Sequence, residues 1–495
     1  MRVGSGFKRL ALPLTPALSP SRGRGSRSGL SSRFYLRLVL PALFTAALPG
    51  AAQAAVFNPT SFTLANGLQV IVVPNHLAPV VNQMVWYKVG AADEVPGKTG
   101  LAHYLEHLMF RGTRNVAPGD FSKLIAAQGG NDNAFTSWDY TAYFETVAAD
   151  RLPMIMGLEA DRMRHLRVTP ETATPELQVV LSERQQRTDN DPHGRFNEEV
   201  RRALLPRHPY GVPVIGWRKD IEKLSVADAE KFYRRHYAPN NAVVVISGDV
   251  KPETVMRLAA SIYGPIPKSD VPPRRSLPSA PMPTKERLRR VDPGIDLAQI
   301  QINAVVPSRT TQKGREAYAF EVLSEVLDSG EVGLLYRHLV QDKAIASGIG
   351  ASYDPDSRGD ALFSIAASPA PKTRPKVLET ALQEELRALA QQGLEPALIE
   401  AAKARLIRAA IFARDSLMAP GYVFGSALAT GRSVADVEDW PARIEAVTVD
   451  EVNAALRAME SSPRKITALL LPDPKGSGSR RSSAAPVSLH DGGSR

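Results

Sequence analysis

The 495-residue chain contains no cysteine. Disulfide scaffolds, thiolate zinc sites and cysteine nucleophiles are thereby excluded, and any metal must be held by histidine and carboxylate. Aromatic residues make up only 6% of the sequence. Neither a phosphate-binding glycine loop nor a basic patch interleaved with aromatics is present. The first 54 positions lack acidic residues and hold eight basic ones, while residues 475–495 carry four basic residues against Asp491. Removing both segments from the formal net charge of +10 leaves −1 for residues 55–474. The pI of about 9.6 therefore belongs to the ends, and no nucleic-acid partner is implied.

Each end has its own reading. Arg33 and Arg37 precede an apolar run from Leu38 to Leu48, followed by Pro49, Gly50 and the small-residue site Ala52-Gln53-Ala54. That order is the n-region, h-region and A-x-A site of a signal peptide. The run is about half of the roughly 20 apolar residues that a membrane span needs. The expectation is an exported, periplasmic protein of a Gram-negative cell envelope, with residues 1–54 removed after cleavage near Ala54 and no stable membrane span. The Gly/Ser/Arg-rich stretch 475–495 reads as a disordered tail.

Between the ends, strand and helix patterns are mixed, which indicates an α+β fold. Phe62-Thr63-Leu64 and Leu68 to Val73 flank the turn signal Asn66-Gly67, and Val80 to Val89 alternates as a strand. Helical segments start near Leu101 and Phe121, a strand-like run covers Ala134 to Val147, and Ala242 to Ile246 reads as a buried strand. The chain also repeats itself. Ile221 to Val226 matches Ile444 to Val449 at an offset of 223, and the same offset carries Ala242–Ile246 onto Lys465–Leu469. Both copies open a helix with a capping box, Ser225 to Asp228 and Thr448 to Glu451. Between them, seven prolines within residues 265–283 mark an extended linker.

The chemistry sits in Gly100 to Phe110, which contains H-x-x-E-H. On a helix, positions i and i+4 share a face, so His103 and His107 can present two imidazoles to one ion with Glu106 projecting beside them. Catalytic zinc needs a third protein ligand. The helix-compatible stretch Pro175 to Arg184 offers two candidates, Glu176 and Glu183, seven residues apart on one face.

Over residues 56–474 the sequence resembles the pitrilysin-type metallopeptidases, also called inverzincins because H-x-x-E-H reverses the thermolysin-like order. The resemblance implies two homologous domains in tandem, each a mixed sheet covered by helices. These would be residues 55–264, bearing one zinc ion, and 285–474, inactive, joined by the Pro-rich linker 265–284. It picks out Glu183, 76 residues after His107, as the third ligand and gives Glu176 a supporting place. Gly129 to Thr136 is similar to the family's glycine-led strand beside the zinc helix, so Asn133, Ala134 and Phe135 are expected to meet an extended peptide. Asp161-Arg162-Met163, His208-Pro209-Tyr210 through Gly216-Trp217, and Tyr237 to Asn241 are further landmarks of this resemblance. The implied reaction is hydrolysis of peptides or unfolded segments with metal-activated water, Glu106 acting as general base.

The second copy departs from this pattern. Phe320, Leu323 and Ser324 stand where His103, Glu106 and His107 stood, so it holds no metal. Complete family members also carry an arginine and a tyrosine, seven apart, that bind substrate; here those places read Val340 and Ser347. Tyr336, Arg337, Tyr353 and Arg358 lie nearby but not at the family spacing. The chain thus resembles the zinc-bearing subunit of the two-subunit, mitochondrial-processing-peptidase-like branch. Its expected partner is a paralogous subunit carrying the Arg/Tyr pair, with a homodimer as the other arrangement. A catalytically silent, assembly-type subunit of the same fold is the alternative, disfavoured by the intact set His103, Glu106, His107 and Glu183.

Overall fold

A computed structural model describes residues 56–311 and 314–474. The expected signal segment and tail lie outside them. The first sheet contains β1 (Thr60–Thr63), β2 (Gln69–Pro74), β3 (Val80–Tyr87), β4 (Asn131–Thr136), β5 (Thr141–Ala148) and β6 (Ala242–Gly248). Its order is β1-β2-β6-β3-β5-β4, and only β2 and β6 run parallel. The run Ala134 to Val147, which the pattern presents as one strand, is two strands joined by a turn in which the Ser137 N–H donates to the Tyr140 carbonyl at 2.8 Å.

The second sheet contains β7 (Arg287–Asp292), β8 (Gln299–Val306), β9 (Ala346–Tyr353), β10 (Ala361–Pro369) and β11 (Lys465–Pro472). Its order β7-β11-β8-β10-β9 repeats β2-β6-β3-β5-β4, with the single parallel pair again between the first two strands. The chain is an internal duplication at the level of strand order as well as sequence. Both capping boxes form, Ser225 Oγ accepting the Asp228 N–H and Thr448 Oγ1 accepting the Glu451 N–H, each at 3.2 Å. No helix or strand occurs between residues 267 and 286. Among the described residues no helix is long and apolar enough to cross a membrane.

β6 explains why part of the chain reads as a continuous apolar run. Every residue of Ala242–Gly248 is buried, because the first sheet is covered on both faces. Ala242, Val244 and Ile246 point into one core, beneath α1 (Leu101–Leu108) and α3 (Leu152–His165). Val243 and Val245 point the other way, onto the helix Ala419–Thr430 from the second half of the chain. The converse also holds: α5 (Pro192–Leu204), from the first half, lays Phe196, Val200 and Leu204 against Leu288, Ile466 and Leu470 of the second sheet. Each repeat lends one helix to the other's sheet.

The lent helix Ala419–Thr430 approaches closely through Gly421 and Gly425. A Cβ at Gly425 would stand 2.0 Å from the Trp86 ring, and one at Gly421 would stand 2.2 Å from Met84 Sδ. Gly425→Ala is therefore expected to lower stability by about 1–3 kcal/mol, as overpacking does, despite alanine's better helix propensity. A urea denaturation midpoint equal to wild type would contradict this packing.

Candidate metal centre

The centre is built on α1, whose start is fixed by backbone geometry. Gly100 adopts φ +89°, and a Cβ there would lie 2.5 Å from the Ile215 carbonyl oxygen, so only glycine fits on both counts. The free N–H groups of the first turn are taken by Glu94, whose carboxylate accepts from Gly100 at 2.9 Å and Ala102 at 2.8 Å. Burial pushes this carboxyl up to about 8 against those hydrogen bonds. No sequence periodicity marks Glu94, because it lies seven residues before Leu101, where the helix it caps begins.

His103 and His107 share one face of α1, their ring centroids 4.7 Å apart. Facing them is α4 (Pro170–Arg184), which carries both candidate glutamates. The structure assigns them different places. Glu183 Oε2 lies 3.6 Å from His103 Nε2 and 3.3 Å from His107 Nε2. Glu176 Oε1 instead meets the far side of the His107 ring, 2.7 Å from Nδ1, and its other oxygen pairs with Arg111. Donor atoms of His103, His107 and Glu183 all lie within 4.8 Å of one another, the one such cluster among the described residues.

These separations fit a metal better than hydrogen bonds. Four ligands at zinc bond lengths of about 2.0–2.1 Å stand roughly 3.3 Å apart along the edges of a tetrahedron. The two imidazole-to-carboxylate gaps match that edge and exceed the roughly 2.8 Å of a charge-assisted hydrogen bond. The donor set, two imidazoles and one carboxylate, also suits zinc and leaves a fourth position open. Burial drives His103 down to about 4, so its imidazole is neutral at pH 7, the form that ligates. Glu176 orients the His107 ring through Nδ1 and leaves Nε2 to face the cluster.

Two further contacts were not anticipated from sequence. Arg187, one helical turn beyond Glu183, pairs with the carboxylate oxygen turned away from the histidines. Its i+4 spacing was readable, but only once Glu183 had been singled out. The Thr136 hydroxyl, at the end of β4, donates to Glu106 Oε2 at 2.6 Å. Burial raises the Glu106 carboxyl to about 7, opposed by the Thr136 hydrogen bond and the neighbouring His107. This places the group where it can both take and return a proton near neutrality.

β4 is the outer strand of its sheet, paired only with β5. Asp132, Ala134 and Thr136 face the helices, and Asp132 Oδ2 accepts from Ser122 of α2 (Asp120–Ala127) at 2.6 Å. Asn133 and Phe135 face the opposite side. The Phe135 ring stacks on Tyr422 with centroids 5.6 Å apart, within a group that includes Trp86, Tyr140 and Phe144. Its side chain is thus turned away from the metal cluster, and only its backbone lies along the edge. The Ala134 N–H is held by Asn133 Oδ1 at 2.9 Å.

Among the described residues the second half offers no equivalent centre. Phe320, Leu323 and Ser324 are buried in the core beneath the second sheet. Val340 packs against that core, and Ser347 Oγ reaches the Ser368 carbonyl at 3.4 Å. The Tyr353 hydroxyl is committed to the Pro307 carbonyl at 2.6 Å. Arg358 is ion-paired to Asp93 and Asp139. Other histidines are engaged elsewhere, His193 with Gln299, His165 with Asp161, His208 with the Pro278 carbonyl and the His236 ring against Phe232.

Comparison with known proteins agrees with this doubled architecture. Residues 69–216 match the family described as Insulinase (Peptidase family M16), and residues 223–406 match the Peptidase M16 inactive domain. Zinc protease PqqE of Helicobacter pylori is 33% identical over 338 residues, covering 67% of this chain and 74% of that protein. The mitochondrial-processing peptidase subunit beta of Blastocladiella emersonii is 26% identical over 205 residues, 41% of this chain and 44% of that one. The crystal structure of a protease from Helicobacter pylori superposes with a TM-score of 0.76 at 28% identity, over 84% of this chain and 99% of that one. With both halves matched and five strands of the first sheet repeated in order in the second, the chain belongs to the pitrilysin-type peptidase family M16, among relatives named zinc proteases.

Proposed function

We propose that this chain is a zinc-dependent endopeptidase of the cell envelope that cleaves peptides or unfolded segments, and that it works with a paralogous subunit. One observation carries the reading: three ligand atoms within 4.8 Å of one another lie beside a buried glutamate that is hydrogen-bonded to the end of an open sheet edge. His103 Nε2, His107 Nε2 and Glu183 Oε2 would hold the ion. When bound, zinc supplies a Lewis acid for the scissile carbonyl and acidifies the attacking water.

The rest of the chemistry belongs to the chain. An extended substrate pairs with the outer edge of β4, a mode that selects unfolded segments because a folded protein has no free strand to offer. The Ala134 N–H passes from Asn133 Oδ1 to the substrate as that pairing forms. Thr136 fixes Glu106 Oε2, so Oε1 faces the reaction, accepts the proton from water and delivers it to the leaving amine. Glu176 keeps the His107 ring in register, and Arg187 engages Glu183 Oε1, leaving Oε2 as the oxygen that would face the ion.

A partner is inferred because Val340 and Ser347 supply neither a guanidinium nor a phenol. The relative from Blastocladiella emersonii is itself named a subunit. Retention of all four metal-site residues argues against a silent assembly subunit. The test is metal content and hydrolysis of an unstructured peptide by the purified chain, alone and mixed with its paralogue. One zinc per chain and turnover that depends on the paralogue is the expected result. Full zinc-dependent turnover by the chain alone would remove the partner requirement, and absence of zinc and turnover in both samples would overturn the peptidase reading.

A further inference from the structure

We propose that Arg358, in the half without a metal site, is a positioning residue that clamps together the two segments carrying the hydrolytic machinery. The inference rests on the peptidase reading above and adds a task for the second half. Arg358 lies between β9 and β10, and its side chain is 10% exposed. Its Nε donates to Asp139 Oδ1 at 2.8 Å, its backbone N–H to Asp139 Oδ2 at 3.0 Å, and its Nη2 to Asp93 Oδ1 at 3.0 Å. One guanidinium therefore binds two carboxylates that lie far apart in sequence.

Each carboxylate leads to one side of the metal centre. Asp93 directly precedes Glu94, the residue that holds the first N–H groups of α1. Asp139 lies in the turn after β4, three residues beyond Thr136. The pair is not isolated. Asp93 Oδ2 also accepts the Gly90 N–H at 3.0 Å and Arg274 Nη2 at 2.9 Å. Asp139 Oδ2 accepts the Tyr210 hydroxyl at 2.5 Å, and that hydroxyl accepts the Gly359 N–H at 3.1 Å. Arg274, from the segment between the halves, continues to the Ala429 carbonyl at 2.7 Å. Two cations and two anions thus balance one another in a largely buried lattice.

The lattice bears on the chemistry because Glu106 is carried by α1 and Thr136 by β4. Their 2.6 Å hydrogen bond exists only while those elements keep their relative position. An exposed ion pair could not enforce this, since such pairs contribute little. A buried one can, because breaking it strands an uncompensated charge. The second half carries Phe320, Leu323 and Ser324 in place of metal-site residues, and on this account it serves as the frame that keeps the base aligned with the substrate strand.

The test uses the full chain loaded with zinc, with its paralogue where turnover requires it. Arg358→Met and Arg358→Lys are compared with wild type for zinc content, for kcat and KM on an unstructured peptide, and for amide hydrogen exchange. Arg358→Met is expected to retain one zinc and near-normal KM, to lose about 10- to 100-fold in kcat, and to exchange faster within residues 99–104 and 131–140. Arg358→Lys recovers only part of this, because an ammonium lacks the fork that spans two carboxylates. Asp93→Asn, a milder change that keeps the fold if Arg358→Met does not, should quicken exchange at 99–104 and leave 137–140 as in wild type. A kcat within about twofold of wild type with unchanged exchange would overturn the clamp, as would a uniform rise in exchange with parallel loss of zinc. A wild-type chain without zinc or turnover would count against the peptidase reading, and the exchange pattern would still decide the clamp.

Discussion

Glu106→Gln is expected to abolish peptide hydrolysis while leaving zinc content at the wild-type level. The substitution is close to isosteric, and a glutamine amide oxygen can still accept the Thr136 hydroxyl that now donates to Oε2 at 2.6 Å. What it removes is the second oxygen's ability to take and return a proton. General-base catalysis typically contributes about 10²–10⁴-fold, so turnover should fall by at least that much. The ligand atoms on His103, His107 and Glu183 are untouched, so metal analysis of dialysed protein should find the same zinc per chain. Turnover within about tenfold of wild type would take Glu106 out of the mechanism.

Glu183→Ala is expected to fail in the opposite order, losing zinc first and turnover with it. Glu183 Oε2 stands between both imidazoles, 3.6 Å and 3.3 Å away, and no other carboxylate among the described residues completes the cluster. Two histidines alone form an incomplete zinc site. The fold should survive the change. Arg187, the residue left without its carboxylate partner, is 41% exposed and can be hydrated at little cost. Thermal unfolding offers a readout independent of activity. Free zinc at about 100 times its dissociation constant stabilises wild type by about 2.7 kcal/mol, and the variant should show no such gain. A variant that still binds zinc as tightly as wild type would show that the ligand set has been misassigned.

The pair of variants separates two roles that the sequence presents together. Spacing alone places His103, Glu106 and His107 on one helix turn, because i, i+3 and i+4 need no tertiary information. It could not divide Glu176 from Glu183, which share a face of α4. Their division depends on which side of the His107 ring each one meets, and that is a property of how two helices dock. The duplication was legible for a similar reason: an offset of 223 conserves local patterns, and the common strand order follows from them.

What stayed hidden is long-range. The break between β4 and β5 has no glycine or proline to announce it, since residues 137–140 read Ser-Trp-Asp-Tyr. The turn is held instead by Asp139, bound by Arg358 from 219 residues away. Phe135 is expected beside the substrate only because it adjoins Asn133 and Ala134 in sequence. Alternation along a strand then sends its ring to the opposite face, where Tyr422 awaits it. Periodicity likewise marks α5 and the helix Ala419–Thr430 as apolar on one side without saying whose sheet each will cover.

That exchange of helices bears on how the protein comes into being. A chain emerging residue by residue from a ribosome can pair β1 to β6 once Gly248 has appeared. The face of that sheet bearing Met84, Trp86, Val243 and Val245 then stays bare until Thr430 follows. Each half completes the cover of its sheet only with a helix from the other. A core that closes this late leaves an apolar sheet face uncovered through most of the chain's synthesis, so the last helices to be made decide when the first sheet is finished.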